Sequence, residues 1–238
     1  MKTEFQFIPT LSHLISSRRT QGESGREFEG LASLSTVKNL ATLQMLLESS
    51  PQLRTLEVGF AFGGSALLFA GIHRKQRRMP ERQHVAIDPY QKSVWDNAGI
   101  ENMKREGLLE YLDFRKDYSS VVLADLFHAG EKFDFIYIDG SHLFEDVFVD
   151  AYFAVRLLSP GGLVVFDDSS DPHVAKVIKF IRRNLKGRLT KVDLSIYRPE
   201  GLERVKYKVA SALGKVQLTV FRLDAEPVRE WNSRFSRF

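Results

Sequence analysis

The sequence predicts an α/β fold: a doubly wound, mostly parallel seven-stranded sheet of the Rossmann-like kind, with one antiparallel strand in its edge region. Three observations predict it. Apolar runs at Phe133 to Ile138 and Leu163 to Phe166 flank a segment with apolar residues at Phe144, Val147, Phe148, Ala151, Val155 and Leu158, a strand, helix, strand unit. A short strand at Leu53 to Gly59 turns through Phe60-Ala61-Phe62-Gly63-Gly64-Ser65 into a helix beginning near Ala66, the glycine-rich turn such a sheet places after its first strand. Two alternating segments, Leu189 to Ile196 and Val216 to Leu223, close the chain, an arrangement that suggests an antiparallel strand on an otherwise parallel sheet.

The remaining elements follow in order. Residues 1 to 30 read as an arm or lid, because Ser16 to Gly25 is too polar to pack. Thr36 to Leu47 is a helix with a broad apolar face and Pro51 beyond its end. His84 to Ile87 is the second strand and ends in Asp88. A helix lies within Val94 to Glu106, its start blurred by Gly99. Leu112 to Arg115 is a weak third strand, with a helix from about Ser120 to Phe127 after it. In the central unit Ser159-Pro160-Gly161-Gly162 stops the helix before the next strand. Val174 to Asn184 is helical, and a short helix fits Glu203 to Leu213. The domain therefore spans 31–223, between the arm and a tail at 224–238.

With 238 residues and 43% hydrophobic content the chain can bury a proper core. It has no cysteine, so disulfides, thiolate metal sites and cysteine nucleophiles are excluded. The apolar stretch Leu56 to Ile72 holds Glu57 and four glycines, and Met1-Lys2-Thr3-Glu4 lacks the pattern of a signal peptide, so a cytoplasmic protein with no membrane partner is expected. The net charge of +4 and the clusters Arg74 to Arg78 and Arg182-Arg183 bring no aromatic stacking pattern with them. They read as solvated helix ends rather than a nucleic-acid face. A homo-oligomer stays open.

The turn Glu57-Val58-Gly59-Phe60-Ala61-Phe62-Gly63 does not have the G-x-G-x-x-G spacing of a pyrophosphate site, and Glu57 adds a negative charge. A cationic ligand without phosphates suits it better. S-adenosylmethionine is one, and Asp88 can accept from both of its ribose hydroxyls. Here the chain resembles the class I S-adenosylmethionine-dependent methyltransferases over about Leu53 to Phe221. The resemblance implies that Glu57, Gly59, Ala61, Gly63 and Ser65 cradle the methionine part, Asp88 the ribose, and Tyr118 with Ser119 the adenine.

Parallel neighbouring strands end at one edge, so Asp139, Asp167 and Asp168 should gather there with His142 nearby. Converging carboxylates raise one another's pKa and invite a divalent cation, with magnesium, manganese or calcium suiting oxygen ligands better than zinc. The motif Asp139-Gly140-Ser141-His142 and the Asp167-Asp168 pair resemble the metal-dependent O-methyltransferases, the catechol group and especially its macrolide-sugar branch (macrocin and mycinamicin enzymes). The resemblance implies a magnesium ion on Asp139, Asp167 and Asp168, with Asp139 also beside the cofactor. His142 would take a proton from a hydroxyl of a small sugar or diol-like acceptor. Plainer roles remain beside these: His142 as a capping residue, and Asp167-Asp168 as a cap on the turn into Ser169-Ser170-Asp171-Pro172. Other readings are a metal-independent methyltransferase, a non-catalytic cofactor-binding or interaction module with a basic surface, and a nicotinamide oxidoreductase.

Overall fold

Several strands form where short apolar runs end in glycine or aspartate, and helices form where the apolar period lengthens. The computed structural model describes residues 5–49, 54–77, 83–226 and 228–238. Met1 to Glu4, Pro51, Leu53 and Arg78, which carried sequence expectations, lie outside the described residues. The chain divides into two compact units, Met1–Tyr118 and Ser119–Phe238.

The first unit begins with α1 (Pro9–Ser17) and a hairpin of β1 (Arg19–Gln21) and β2 (Glu27–Glu29). This segment packs, contrary to its polar composition: Phe5, Ile8, Leu11 and Leu14 are buried. Its polar residues find partners on the Asp88 to Glu106 region. Ser24 donates to Asp96 through backbone and hydroxyl, and Thr20 donates to Asn102 at 2.9 Å. Paired polar groups can be packed; composition alone does not reveal the pairing.

Then come α2 (Val37–Glu48), β3 (Thr55–Val58), α3 (Gly64–Lys75), β4 (His84–Ile87), α4 (Ala98–Glu106) and β5 (Leu112–Arg115). Thr36 caps α2 by accepting from the Asn39 backbone N–H. β4 pairs in parallel with both β3 and β5. Every residue of β3 and β4 is buried, the continuous apolar burial of a sheet covered on both faces.

The second unit holds α5 (Ser119–His128), β6 (Phe133–Ile138), α6 (Phe144–Leu157), β7 (Leu158–Phe166), α7 (Pro172–Asn184), β8 (Leu189–Lys191), α8 (Leu202–Ala212) and β9 (Thr219–Leu223). β6 and β7 are parallel, with Ile138 opposite Phe166. β9 runs antiparallel to both β7 and β8, so within this unit β9 alone runs against the others. These strands make up the seven-stranded, mostly parallel, Rossmann-like sheet.

Two elements differ from the sequence expectation. The strand expected over Leu189 to Ile196 stops at Lys191, because Asp193 accepts from the Ser195 N–H and hydroxyl and winds Leu194–Tyr197 into a 3-10 turn. The Ser159 to Gly162 stretch is not a loop: β7 starts at Leu158, directly after the helix, and a register shift between Phe133 and Phe135 accommodates it.

Candidate active site

In the first unit the glycine turn is assembled by hydrogen bonds from outside itself. Ala61 and Gly63 have φ of 43° and 74°, the left-handed region that side chains disfavour. Asp88 holds this shape: its Oδ2 accepts from the Ala61 N–H at 2.9 Å, and its Oδ1 accepts from the Tyr90 N–H at 2.7 Å. Gln91, fully buried, donates to the Ala61 carbonyl at 2.6 Å, and Asn102 donates to the Phe62 carbonyl at 3.0 Å. Gly99 completes the enclosure, since a Cβ there would lie 2.6 Å from the Ala61 carbonyl oxygen. Its glycine is a packing requirement as well as a helix-start ambiguity.

Glu57 lies inside rather than on the open turn. Both its oxygens are buried, and Oε1 is 3.3 Å from His84 Nε2. Burial raises the Glu57 carboxyl well above the usual range, with the Ser65 hydroxyl opposing and the Asp88 charge adding to it. Burial also pushes the His84 imidazole down to about 3. Both shifts favour uncharged forms, so the pair is held neutral. Thr55 Oγ1 extends the contacts to His84 Nδ1 at 2.9 Å and to His73 Nε2 at 3.0 Å. Tyr118 is exposed, and its ring meets that of Tyr90 edge to face at 6.2 Å.

In the second unit the parallel pair β6 and β7 delivers its acids to one edge. Asp139, His142 and Asp168 converge there, each offering a ligand atom within 4.8 Å of the others. His142 Nε2 is 3.2 Å from Asp168 Oδ2, and their side chains are 48% and 40% exposed, open enough to meet a solute. His142 precedes α6 in a loop. Ser141 fixes that loop, donating to Asp146 at 2.7 Å and accepting from the Leu143 N–H.

Asp167 belongs to the buried side of this edge. It accepts from the Tyr137 hydroxyl, which also reaches Asp139 Oδ2 at 3.1 Å. Among the described residues the side chains grouped closely enough to share a cation are Asp139, His142 and Asp168, with Asp167 joined to Asp139 through the Tyr137 hydroxyl. Tyr137 was not singled out in the sequence, yet the strand period places it on the same face as Asp139. Asp168 has φ of 44°, and its N–H donates to Asp167 Oδ1 at 2.8 Å. His173 is exposed and accepts from the Phe144 N–H at 3.0 Å, so it serves the start of α6. Ser119 opens α5 beside Asp150 of α6, whose carboxyl burial raises to about 6 while the Ser119 hydroxyl opposes the rise.

Residues 56–169 match the family model described as a methyltransferase domain. Solved O-methyltransferase structures share the Rossmann-like fold of this chain at low identity. The O-methyltransferase from Bacillus cereus, in complex with SAH, matches at a TM-score of 0.59 and 17% identity over 81% of this chain and 83% of that one. The O-methyltransferase TomG from Streptomyces achromogenes, involved in tomaymycin synthesis and solved with SAM, matches at 0.61 and 17% over 92% and 90%. No curated protein matches the chain. Among the described residues no helix is long and apolar enough to cross a membrane.

The donor sets fit the two groups that such chemistry uses. An oxygen-rich group with one imidazole suits a hard divalent cation, and the glycine turn offers a cofactor its backbone above a buried, uncharged Glu57.

Proposed function

We infer that this protein moves a methyl group from S-adenosylmethionine to a hydroxyl of a small molecule, a sugar or diol-like acceptor. The observation that carries this reading is the convergence of Asp139, His142 and Asp168 at the ends of two parallel strands. The glycine turn of the first unit would hold the methyl donor. Gly59, Ala61, Gly63 and Ser65 would lie along its methionine part and Tyr118 and Ser119 beside its adenine, while Asp88, whose oxygens have lone pairs left after fixing the turn, would accept from the ribose. Glu57, buried and uncharged beneath the turn, would support the turn rather than meet the donor's cationic end as a charge.

His142 is the proposed base. Its Nε2 faces Asp168, which favours the tautomer with the proton on Nε2 and leaves Nδ1 to accept the proton of the acceptor hydroxyl. Asp168 stabilises the imidazolium that results. The acceptor oxygen forms its new bond to the methyl carbon as the carbon–sulfur bond breaks, and the electron pair stays on sulfur in S-adenosylhomocysteine. Asp139 and Asp168 would hold a divalent cation, magnesium by preference; when bound, it supplies positive charge that lowers the hydroxyl's pKa. Asp167 would position Asp139 through the shared Tyr137 hydroxyl.

A second reading has a specific observation behind it: the 3.2 Å contact between His142 and Asp168 is itself a base and its orienting carboxylate, which needs no metal. One experiment separates the two. Labelled S-adenosylmethionine is offered with a panel of hydroxyl compounds, with and without chelator. Loss of turnover with retained cofactor binding supports the cation, and chelator-insensitive turnover leaves the histidine–aspartate pair. No thermal stabilisation by S-adenosylmethionine, or no transfer to any hydroxyl, would sink the whole reading.

A further inference from the structure

The second unit contains a cleft of about 470 Å³ that methyl transfer does not use, within the size range of small-molecule sites. It runs along one face of α7, where Ala175, Ile178, Lys179 and Arg182 follow each other at helical spacing, and is bounded by the segment Ser211 to Val216. Ile178, Leu213 and Val216 give it apolar surface. Its charged lining is wholly basic: Lys179, Arg182, Arg183 and Lys191, with no carboxylate among the lining residues.

Among the described residues no ion pair takes Lys179, Arg182 or Lys191. Arg183 is engaged, donating to the Arg237 carbonyl. Lys191 is half-buried and donates to the Ser211 hydroxyl at 2.8 Å, which aims its ammonium along the cleft wall. Burial first and the Arg182 charge second pull its pKa down, against a smaller opposing pull from Asp193. Asp193 is already occupied by Ser195. A half-buried cation facing another cation is an unfavourable arrangement that an anion would relieve.

We propose that this cleft is a binding site for an amphiphilic anion, a phosphate or carboxylate head on Lys179, Arg182 and Lys191 with an apolar portion on Ile178, Leu213 and Val216. None of the residues proposed above for methyl transfer lines it, and its occupancy does not depend on the function proposed above. Ser169 is its only lining residue adjacent in sequence to the Asp167-Asp168 pair.

The test is calorimetric titration of the full chain with hexyl phosphate, hexanoate, inorganic phosphate and hexyltrimethylammonium. Saturable binding of one of the two hexyl anions, about tenfold tighter than inorganic phosphate and weakened by salt, is expected. A preference for hexyl phosphate or for hexanoate identifies the head group, and either supports the site. The double substitution Lys179→Ala with Arg182→Ala changes exposed side chains and should leave the melting temperature in place while weakening the anion about tenfold or more. Ser211→Ala, which releases the Lys191 ammonium, should weaken it less. Undiminished affinity in the double variant, equal binding of hexyltrimethylammonium, or no saturable binding of either hexyl anion would overturn the proposal.

Discussion

The glycine turn of the first unit and the acidic edge of the second are built on opposite terms. Around the turn, Glu57 and Gln91 are fully enclosed and Asp88 is 5% exposed, and each carbonyl or N–H that shapes it has a fixed partner. At the edge, His142 and Asp168 are roughly half open and hold each other by a single 3.2 Å contact. The difference teaches which task each region can perform. A turn clamped by buried side chains presents backbone in one shape and suits a ligand that is always the same. An open histidine and carboxylate retain the freedom to exchange protons and to meet varied acceptors.

The largest expected effect lies at the open edge. His142→Ala should lower methyl-transfer turnover by about two to four orders of magnitude and leave S-adenosylmethionine affinity, read by calorimetry, within about twofold. A matching loss of cofactor affinity would erase the contrast between the regions. Next is Gly99→Ala in the first unit. The new Cβ would meet the Ala61 carbonyl and the Phe60 ring, both under 3 Å from its ideal position, and should cost about 1–3 kcal/mol of stability by denaturant unfolding. Cofactor affinity should fall with it, because the turn itself has to move. An unchanged unfolding midpoint would mean the turn is not clamped.

Asp168→Asn should have a smaller and divided effect. Asparagine tolerates the positive φ at that position, so the melting temperature should hold within about 2 °C. Turnover should drop by about tenfold or more as the imidazolium loses its carboxylate. If turnover does not fall, Asp168 is neither orienter nor ligand.

The smallest effect concerns pH and the buried pair. With Glu57 raised and His84 lowered to about 3, the folded pair holds one proton, on Glu57, across neutral pH. The unfolded pair holds two protons below 4.5, one between 4.5 and 6.5, and none above 6.5. Folded and unfolded states therefore match between those values, and the pair contributes no slope there. Below that window the unfolded state binds more protons and stability falls with falling pH; above it the folded state binds more and stability falls with rising pH. Glu57→Gln removes the alkaline loss, so its unfolding midpoint relative to the parent should rise from pH 6.5 to pH 8.5. A pH-independent difference would show that Glu57 is ionised in the folded protein.

Much of this arrangement is legible in the sequence, because periodicity and punctuation act locally. The strands at His84 to Ile87 and Phe133 to Ile138 fall where apolar runs ending in aspartate put them, and the weak strand expected at Leu112 to Arg115 is formed as well. The meeting of β6 and β7 acids follows from the parallel crossover between them. The packed segment before Gly30 was not legible, since its stability comes from Asp96 and Asn102, more than seventy residues away. The strand expected beyond Lys191 failed for a local reason, the Asp193 turn, which outweighs alternation over a few residues.

By itself the sequence determined the layered α/β order, the glycine turn and the acids that reach the edge, because each depends on neighbours within a strand or helix. Only the tertiary structure decided which of those acids face outward. Asp167 and Asp168 are adjacent and chemically alike, yet one accepts from the buried Tyr137 hydroxyl and the other, at positive φ, stands beside His142. The choice between them rests on a hydroxyl thirty residues away and on one backbone torsion, neither of which composition or spacing encodes.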